Sequence, residues 1–297
     1  MVFDRSDPFA EFDLAKVAHV VFNRPAFSDL TIIVNGTPFY CHRDILTSAS
    51  PFLQNSIDCQ PKTKRAIVEL DFPEIQFPDG FCCKEDHDSA SWFKKYLRLL
   101  YGLSKPEPDD FIELIAMVQI ADFLVSPSVL SLCDYLLSGA SFDHENVFAM
   151  ALFCEKYPLP ETFQIVKETI AEDLYEVANN PQLYQISTKH FRDVVTLSIC
   201  SHPWTFWIVL AYASGVVPEN YVIRSKQLQI EDAEMGKFFR DLAKELSKNW
   251  TRLTVDAIFE DLENYEIVSG SAGRDEQLFL YKTISACYQR LLSERET

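Results

Sequence analysis

The residues best suited to bind a metal lie close together in one short segment of the chain. Cys82, Cys83 and His87 form the densest group of zinc-type ligands in the sequence. Adjacent cysteines seldom share one zinc ion in a short loop, and no second ligand pair follows at a spacing typical of zinc sites. The sequence therefore predicts no metal site, and this segment is interpreted as a solvated loop.

The patterns that usually indicate catalysis lack their structural context. The chain contains no GxGxxG or GxxxxGK[ST] phosphate loop and no serine within a GxSxG turn. Neighbouring acids such as Glu172 and Asp173 point about 100° apart on a helix, which favours solvated faces over a paired catalytic set. We therefore predict no catalytic residue and no cofactor. An enzyme is the rival hypothesis, and it would need a convergent acid, base or nucleophile set.

The charge and the cysteines limit the classes of partner and the compartment. The 297 residues include 27 Lys+Arg and 44 Asp+Glu, which gives a net charge of -17. This excess argues against nucleic acid and anionic membranes as the main partners. The N-terminus lacks the secretory pattern, the longest apolar stretch (204–217) is too short to span a bilayer, and the cysteines form no CxxC pair. We expect an intracellular protein, in the cytoplasm or nucleus.

The spacing of apolar residues predicts both helix and strand in the first part of the chain. Apolar residues recur at helical spacing over 8–22, and an alternating pattern over 30–34 predicts a strand. Asn35-Gly36 is typical of a tight hairpin turn, and a second alternating run follows it. Residues 67–70 predict one more strand. Together these patterns indicate a small sheet preceded by a helix.

Polar residues before apolar runs predict where the next helices begin. Asp44 is a candidate cap for a short helix, and either Asp109 or Asp110 is a candidate cap for a later one. Ser50-Pro51 and Ser126-Pro127 each combine a capping serine with a first-turn proline, which is the favoured order at a helix start.

An acidic loop separates the strands from the helices that follow. Residues 71–88 contain two prolines, and the stretch from Glu69 to Asp88 holds seven acidic residues against Lys84 alone. From 143 onward the spacing is almost wholly helical, with predicted helices that extend to 254–262 and 275–292. Short helices joined by short loops favour stacked antiparallel hairpins.

Three stretches of the first part together resemble the BTB/POZ family. They are SDLTIIVNG (28–36), FYCHRDIL (39–46) and SASPFL (48–53), and Leu99-Leu100-Tyr101-Gly102 is similar to a later segment of that family. The second part, from 143 to 198, resembles the opening of a BACK domain, and 256–262 and 276–288 resemble its later helices.

The resemblance implies an α+β fold class, with a BTB/POZ fold followed by an all-α BACK-like array of helical hairpins. In the BTB/POZ fold a short β-sheet is combined with a helical cluster. The implied divisions are a lead-in with a dimerisation helix at 1–27, a BTB/POZ domain at 28–140, and a BACK-like domain at 141–297. The implied function is a non-catalytic adaptor for protein–protein interaction.

The resemblance also implies a homodimer, because the family packs its N-terminal helix across a two-fold axis. The alternative is that this helix folds back onto its own domain. Asp29 and Arg43 occupy positions that line an interface pocket in some relatives, and the alternative for them is a helix cap with a local ion pair. The residues assigned to the dimer interface are Phe9, Ala10, Leu14, Val17, Val21, Asp29 and Arg43.

A cullin scaffold of ubiquitin ligases is the partner that the resemblance suggests. Tyr101 matches a tyrosine of the cullin-facing region in the family, whereas the hydrophobic-x-Glu motif of cullin binders is replaced here by Pro61-Lys62-Thr63. The alternative is a scaffold in a transcriptional or other regulatory assembly without a cullin. The residues assigned to the cullin-facing surface are Phe52, Ile57, Lys62 and Tyr101.

Overall fold

The structure is a computed structural model that describes residues 14–60, 65–81, 88–108, 110–144, 146–198, 203–215, 233–250 and 282. The chain divides into two compact units. Unit 1 comprises 1–141 together with 156–162, and unit 2 comprises 142–155 together with 163–297. The finer division at 27/28 and 140/141 stays a prediction.

Unit 1 combines three strands with a cluster of helices, and this confirms the predicted α+β class. The first helix comes before the sheet, two short helices lie between the second and third strands, and the remaining helices follow the sheet. In chain order the elements are α1 (Leu14–Val21), β1 (Leu30–Val34), β2 (Thr37–Cys41), α2 (Arg43–Ala49), α3 (Pro51–Asp58), β3 (Ala66–Leu70), α4 (Ser89–Leu100), α5 (Phe111–Phe123) and α6 (Pro127–Ser138).

The sheet has the strand order β2-β1-β3. Strands β1 and β2 pair antiparallel with Ile32 opposite Phe39, and β3 runs parallel to β1 with Val68 opposite Ile32. The predicted hairpin is confirmed, because Asn35 and Gly36 have φ values of 47° and 84°, the left-handed region that a tight two-residue turn requires. Alternate residues of β1 and β3 pack into the core of the unit.

The helix starts follow the capping residues with one exception. Ser50 Oγ accepts a hydrogen bond from the Leu53 N–H at 3.0 Å, and Asp110 Oδ1 accepts one from the Glu113 N–H at 2.9 Å. The expectation that Asp44 caps α2 is wrong, because the cap position is His42 and Asp44 lies within the first turn. A carboxylate at that place still interacts favourably with the positive end of the helix dipole.

Two serines join the ends of neighbouring helices in a reciprocal arrangement. Ser126 precedes Pro127 as predicted, but its hydroxyl makes no cap bond and instead donates to the Ala49 carbonyl at 2.8 Å. Ser50 donates in turn to the Leu124 carbonyl, and Tyr96 Oη donates to Ser126 Oγ at 3.0 Å. Burial raises the pKa of Tyr96 to about 12, so its hydroxyl stays a donor at neutral pH. This buried network ties α2 and α3 to α5 and α6.

Val125 has an unusual backbone conformation in the turn between α5 and α6. Its N–H bonds the Asp122 carbonyl at 3.0 Å, and the Ser126 N–H bonds the Ala121 carbonyl at 2.7 Å. These two bonds form a Schellman motif, which places its penultimate residue in the left-handed region and usually selects glycine there. Val125 has φ 52° and is 52% exposed. A β-branched residue in this region is strained.

Val125→Gly is expected to stabilise unit 1 by about 1 kcal/mol, because a left-handed conformation costs an L-residue about 1–2 kcal/mol and glycine adopts it freely. The measurement is the free energy of unfolding in urea. Leu132→Gly is the matched control, since Leu132 is an exposed apolar residue in the right-handed helix α6. That change is expected to destabilise by about 1 kcal/mol. Equal destabilisation by both substitutions would contradict the strain at Val125.

The first part of the predicted acidic loop is bound to the helical cluster. The Asn35 side chain exchanges two hydrogen bonds with the backbone of Phe72, at 2.9 and 3.2 Å. The buried Gln119 side chain does the same with the backbone of Gln76, at 3.1 and 2.8 Å. Phe72 and Phe81 are buried. The stretch 71–81 is therefore an anchored connection without helix or strand, and 82–87 lies outside the described residues.

The described part of unit 2 is helical. The spacing of apolar residues from Phe163 to Val177 predicts one continuous helix. The structure has two helices there, α8 and α9, with Asp173 between them. The helices from 142 onward are α7 (Val147–Lys156), α8 (Pro160–Glu172), α9 (Leu174–Val177), α10 (Thr188–Leu197), α11 (Pro203–Ser214) and α12 (Ala233–Leu246), with 3-10 helices at Pro181–Gln185 and Ser247–Asn249. The last residue of α7 and the first three of α8 belong to unit 1. The helices predicted at 254–262 and 275–292 lie outside the described residues.

Within the described ranges, no helix combines the length and the apolar character needed to cross a membrane. The same residues contain no group of three or more His, Cys, Asp or Glu side chains arranged to hold a metal ion. Cys82, Cys83 and His87 lie outside the described part of the chain.

Candidate protein-interaction site

Helix α1 leaves apolar side chains at the surface. Val17 is 45% exposed and Val20 is 51% exposed, while Val21 and Phe22 are half-buried. Apolar residues this exposed on one short helix indicate a surface suited to bind protein. Of the other residues assigned to this surface, Leu14 begins α1 but its side chain lies outside the described part, as do Phe9 and Ala10.

The end of α1 is held against unit 1 by two contacts. The Phe22 ring meets the Tyr101 ring edge-on, with 5.3 Å between their centroids. Asn23, in the left-handed region with φ 52°, accepts a hydrogen bond from the Tyr40 N–H at 2.8 Å. The helix is therefore anchored at its C-terminal end, and its exposed valines have a fixed place on the unit.

Asp29 supplies the cap of α2 from the start of the sheet. Its Oδ1 accepts a hydrogen bond from the Arg43 N–H at 2.9 Å, and the Arg43 side chain donates to the Asp29 carbonyl at 3.5 Å. Asp29 is exposed and Arg43 is half-buried. This geometry gives the pair a structural role at the junction of β1 and α2, and their assignment to a dimer interface stays a prediction.

His42 and Tyr101 form a compact polar contact beside this junction. The Tyr101 hydroxyl accepts from the His42 N–H at 3.0 Å and lies 2.7 Å from His42 Nδ1. Only 8% of Tyr101 is exposed. Burial raises the pKa of Tyr101 above its ordinary value. Tyr101 therefore holds the start of α2 and offers little surface to another protein.

The other residues assigned to the cullin-facing surface differ in exposure. Phe52 is half-buried and packs on Phe123 with ring centroids 6.0 Å apart, whereas Ile57 is only 2% exposed. Lys62 lies outside the described residues. The structure therefore places Phe52 nearer the surface than Ile57 or Tyr101, and the assignment itself stays a prediction.

The family model for the BTB/POZ domain matches residues 19–81 of this chain. The match includes all three strands, α2 and α3. The chain carries a BTB/POZ domain. No curated protein sequence matches the chain significantly. BTB/POZ domains mediate self-association and the binding of other proteins, and they are generally non-catalytic.

Burial determines the chemistry of the cysteine beside the BTB/POZ histidine. Cys41 precedes His42, and burial together with the negative charge of Asp29 raises the pKa of the thiol to about 12. Because the thiolate is the nucleophilic form, Cys41 is unreactive at neutral pH. The thiol instead fills space in the core at the end of β2.

A serine, a histidine and a carboxylate come together in unit 2 in a way that the sequence did not show. His190 Nδ1 lies 2.8 Å from Glu155 Oε1 and 3.0 Å from Ser187 Oγ, and the Ser187 N–H donates to Glu155 Oε1 at 2.8 Å. A serine–histidine–carboxylate relay uses opposite nitrogens of the ring. Here both contacts share Nδ1, so the group joins α7 to α10 and does not form a relay.

Several residues whose side chains tie parts of unit 1 together left no signal in the sequence. Asn23, Gln60 and Gln119 each bond a backbone group that is distant in sequence or lies across a loop. Such bonds depend on the tertiary fold, and local spacing does not encode them. Only the positive φ of Asn23 has a sequence counterpart, because asparagine tolerates the left-handed region better than most residues.

Proposed function

We propose that the chain is a non-catalytic adaptor for protein–protein interaction that homodimerises through its BTB/POZ domain. The observation that carries the proposal is the exposed apolar face of α1 at Val17 and Val20, on a helix whose end is fixed by Phe22 and Asn23. An apolar patch that meets its own copy closes as a two-fold dimer, in which each residue is used twice.

The dimer interface in this proposal has α1 at its centre. Phe9, Ala10, Leu14 and Val21 belong to the apolar stripe that the sequence spacing predicts. In the proposal Asp29 and Arg43 belong to the same interface, and their bond at the start of α2 keeps the local backbone in place.

Light scattering of the purified full chain tests self-association. The expected mass is twice that of the 34.1 kDa chain at micromolar concentration. A mass that stays at one chain over the accessible concentration range would exclude the homodimer. Such a result would leave the interaction-module assignment of residues 19–81 in place, so the two parts of the proposal fail separately.

The proposed role of the adaptor is to bring target proteins to a cullin-RING ubiquitin ligase, in the cytoplasm or nucleus. The exposure of Phe52 supports this role. Phe52 lies in the first turn of α3, packs on Phe123 of α5 and is only half-buried. The helical part, as a BACK-like domain, would then space or bind the target. An assembly without a cullin is the second candidate, and the Pro61-Lys62-Thr63 sequence favours it because it lacks the hydrophobic-x-Glu motif.

A pull-down with a cullin N-terminal domain separates these two candidates. If the cullin is the partner, the native chain is captured and Phe52→Ala weakens the capture. Tyr135→Ala is the matched aromatic control, because Tyr135 is 68% exposed on α6 and does not belong to the assigned cullin-facing surface, and it is expected to leave binding intact. No capture of the native chain would favour the scaffold without a cullin.

A further inference from the structure

Among the residues that the structure describes, strand β3 forms one edge of the sheet and turns alternate backbone groups outward. Ala66 donates its N–H to the Asp29 carbonyl, and the Leu70 carbonyl accepts from the Asn35 N–H, so the even-numbered residues bond toward β1. The N–H and C=O groups of Ile67 and Glu69 consequently face away from β1, because successive residues of a strand alternate. An edge of this kind is a template for another strand.

Within the described part of the chain, the Gln60 side chain bonds the backbone at the middle of this edge. Gln60 Oε1 accepts a hydrogen bond from the Ile67 N–H at 3.0 Å, and Gln60 Nε2 donates to the Ile67 carbonyl. The amide therefore bonds Ile67 as the backbone of a neighbouring strand would. Gln60 is joined to Ile67 only through its side chain, so rotation about its side-chain bonds releases both backbone groups without unfolding the sheet.

The residues around Ile67 are complementary to themselves. Arg65 and Glu69 lie two residues on either side of Ile67, so all three side chains point to the same face of the sheet. Ile67 is 51% exposed. If two copies of this edge pair antiparallel about Ile67, Ile67 faces Ile67 and each Arg65 faces a Glu69. Opposite charges directly across an antiparallel pair are stabilising.

We propose that the β3 edge docks a second copy of this chain in antiparallel register about Ile67, and that Gln60 is the cap that this copy displaces. The charge order selects a second copy over other strands. An antiparallel partner must place an acid opposite Arg65, an apolar residue opposite Ile67 and a base opposite Glu69, and a second copy of this strand does so. Arg65 is partly engaged already: its Nη2 donates to Pro25 and Ser28, and its guanidinium lies 5.7 Å from the centroid of the Tyr40 ring. Within the described residues its hydrogen bonds all run through Nη2, so Nε and Nη1 can serve the contact with Glu69 of a second copy.

This surface is separate from the apolar face of α1. A chain with two different two-fold contacts links dimers into longer assemblies. The proposal therefore goes beyond the homodimer, and the two can be tested independently. The tests use the full chain with Val17→Glu and Val20→Glu, which removes any contact through α1 whether or not the α1 dimer exists.

The first test mixes two charge variants of this background. Their association is measured by sedimentation velocity at protein concentrations up to the millimolar range. Glu69→Arg places like charges across the pair in its own homodimer, and so does Arg65→Glu. A mixture of the two variants restores opposite charges at both pairs. The expected result is that each variant alone is monomeric and the mixture associates. A mixture that stays monomeric would overturn the proposal.

The second test removes the Gln60 side chain and leaves Arg65 unchanged. It is needed because Arg65→Glu also loses the hydrogen bonds to Pro25 and Ser28. Gln60→Ala is expected to tighten self-association about tenfold, because the partner strand no longer competes with two hydrogen bonds. Adding Glu69→Arg should abolish the gain. Unchanged association in Gln60→Ala would overturn the role of Gln60, and capture of an unrelated extended peptide in place of a second copy would overturn the choice of partner.

Discussion

Replacing Val17 and Val20 together with glutamate is expected to convert the chain from a dimer to a monomer at micromolar concentration, below the millimolar range in which the β3 contact is tested. The change removes two apolar side chains from the exposed face of α1. It also places four carboxylates near the two-fold axis of the pair, and like charges brought together at an interface cost several kcal/mol. A loss of about 4 kcal/mol corresponds to about a thousandfold weaker association.

The measurement is the molar mass by light scattering over a dilution series. Leu197→Glu is the matched control, because Leu197 has similar exposure, 47%, but lies at the end of α10 in unit 2. The control is expected to remain a dimer. Both variants should keep the native helical circular dichroism, because the substituted positions are at the surface. A dimer that survives both valine substitutions would show that α1 does not carry the contact.

Asp134→Ala is expected to destabilise unit 1 by about 3 kcal/mol. Asp134 on α6 is 5% exposed, and its carboxylate accepts from the N–H groups of Glu161 and Thr162 at 3.1 and 2.8 Å and from Thr162 Oγ1 at 2.7 Å. Thr162 is fully buried. The substitution leaves the two backbone N–H groups without a partner, whereas Thr162 Oγ1 keeps its bond to the Asp134 carbonyl at 3.1 Å. Each unsatisfied buried group costs about 1–3 kcal/mol. It also removes the negative charge from the start of α8, where the helix dipole favours it.

Urea unfolding of the full chain measures this effect. Asp122→Ala is the control, since Asp122 is an exposed acid in the last turn of α5, where its loss is expected to change stability by at most a few tenths of a kcal/mol. Asp134→Asn should be less destabilising than Asp134→Ala, because the amide oxygen can accept both bonds from Thr162 and only the Glu161 N–H would face the amide nitrogen. A loss below about 1 kcal/mol would contradict the capping role of Asp134.

Local patterns in the sequence predicted the small sheet and most helix starts correctly. Asn35-Gly36 forms the hairpin because few other residue pairs adopt positive φ twice in succession. Ser50 caps α3 and Pro51 occupies its first turn, as the order of the two residues predicts. These features depend on backbone conformation over a few residues, and residue type alone largely decides such conformations.

Contacts between distant parts of the chain could not be predicted from the same patterns. Ser126 has the same Ser-Pro signature as Ser50, yet its hydroxyl bonds Ala49 and Tyr96 and makes no cap. Asp134 lies in an apolar helical stripe, where spacing gives no indication that it caps α8. In both cases the partner is brought close only by the packing of helices that are separated in sequence.

The spacing of apolar residues predicted the exposure on α1 only in part. Val17 was assigned to the surface and is exposed, but Val20 was not assigned and is also exposed, while the assigned Val21 is half-buried. The assignment of these residues to a dimer interface stays a prediction. Tyr101 was assigned to a partner-facing surface from its position in a family motif. Its hydroxyl bonds His42 and its ring packs on Phe22, contacts that a motif does not reveal.

The most direct test of self-association through α1 is co-purification of two differently tagged copies of the full chain. Both copies are expressed in the same cell, and one tag is used for capture. One copy is expected to purify with the other when both are native, and not when both carry Val17→Glu and Val20→Glu. Failure of the native copies to purify together, or equal capture by the native and substituted pairs, would contradict self-association through α1.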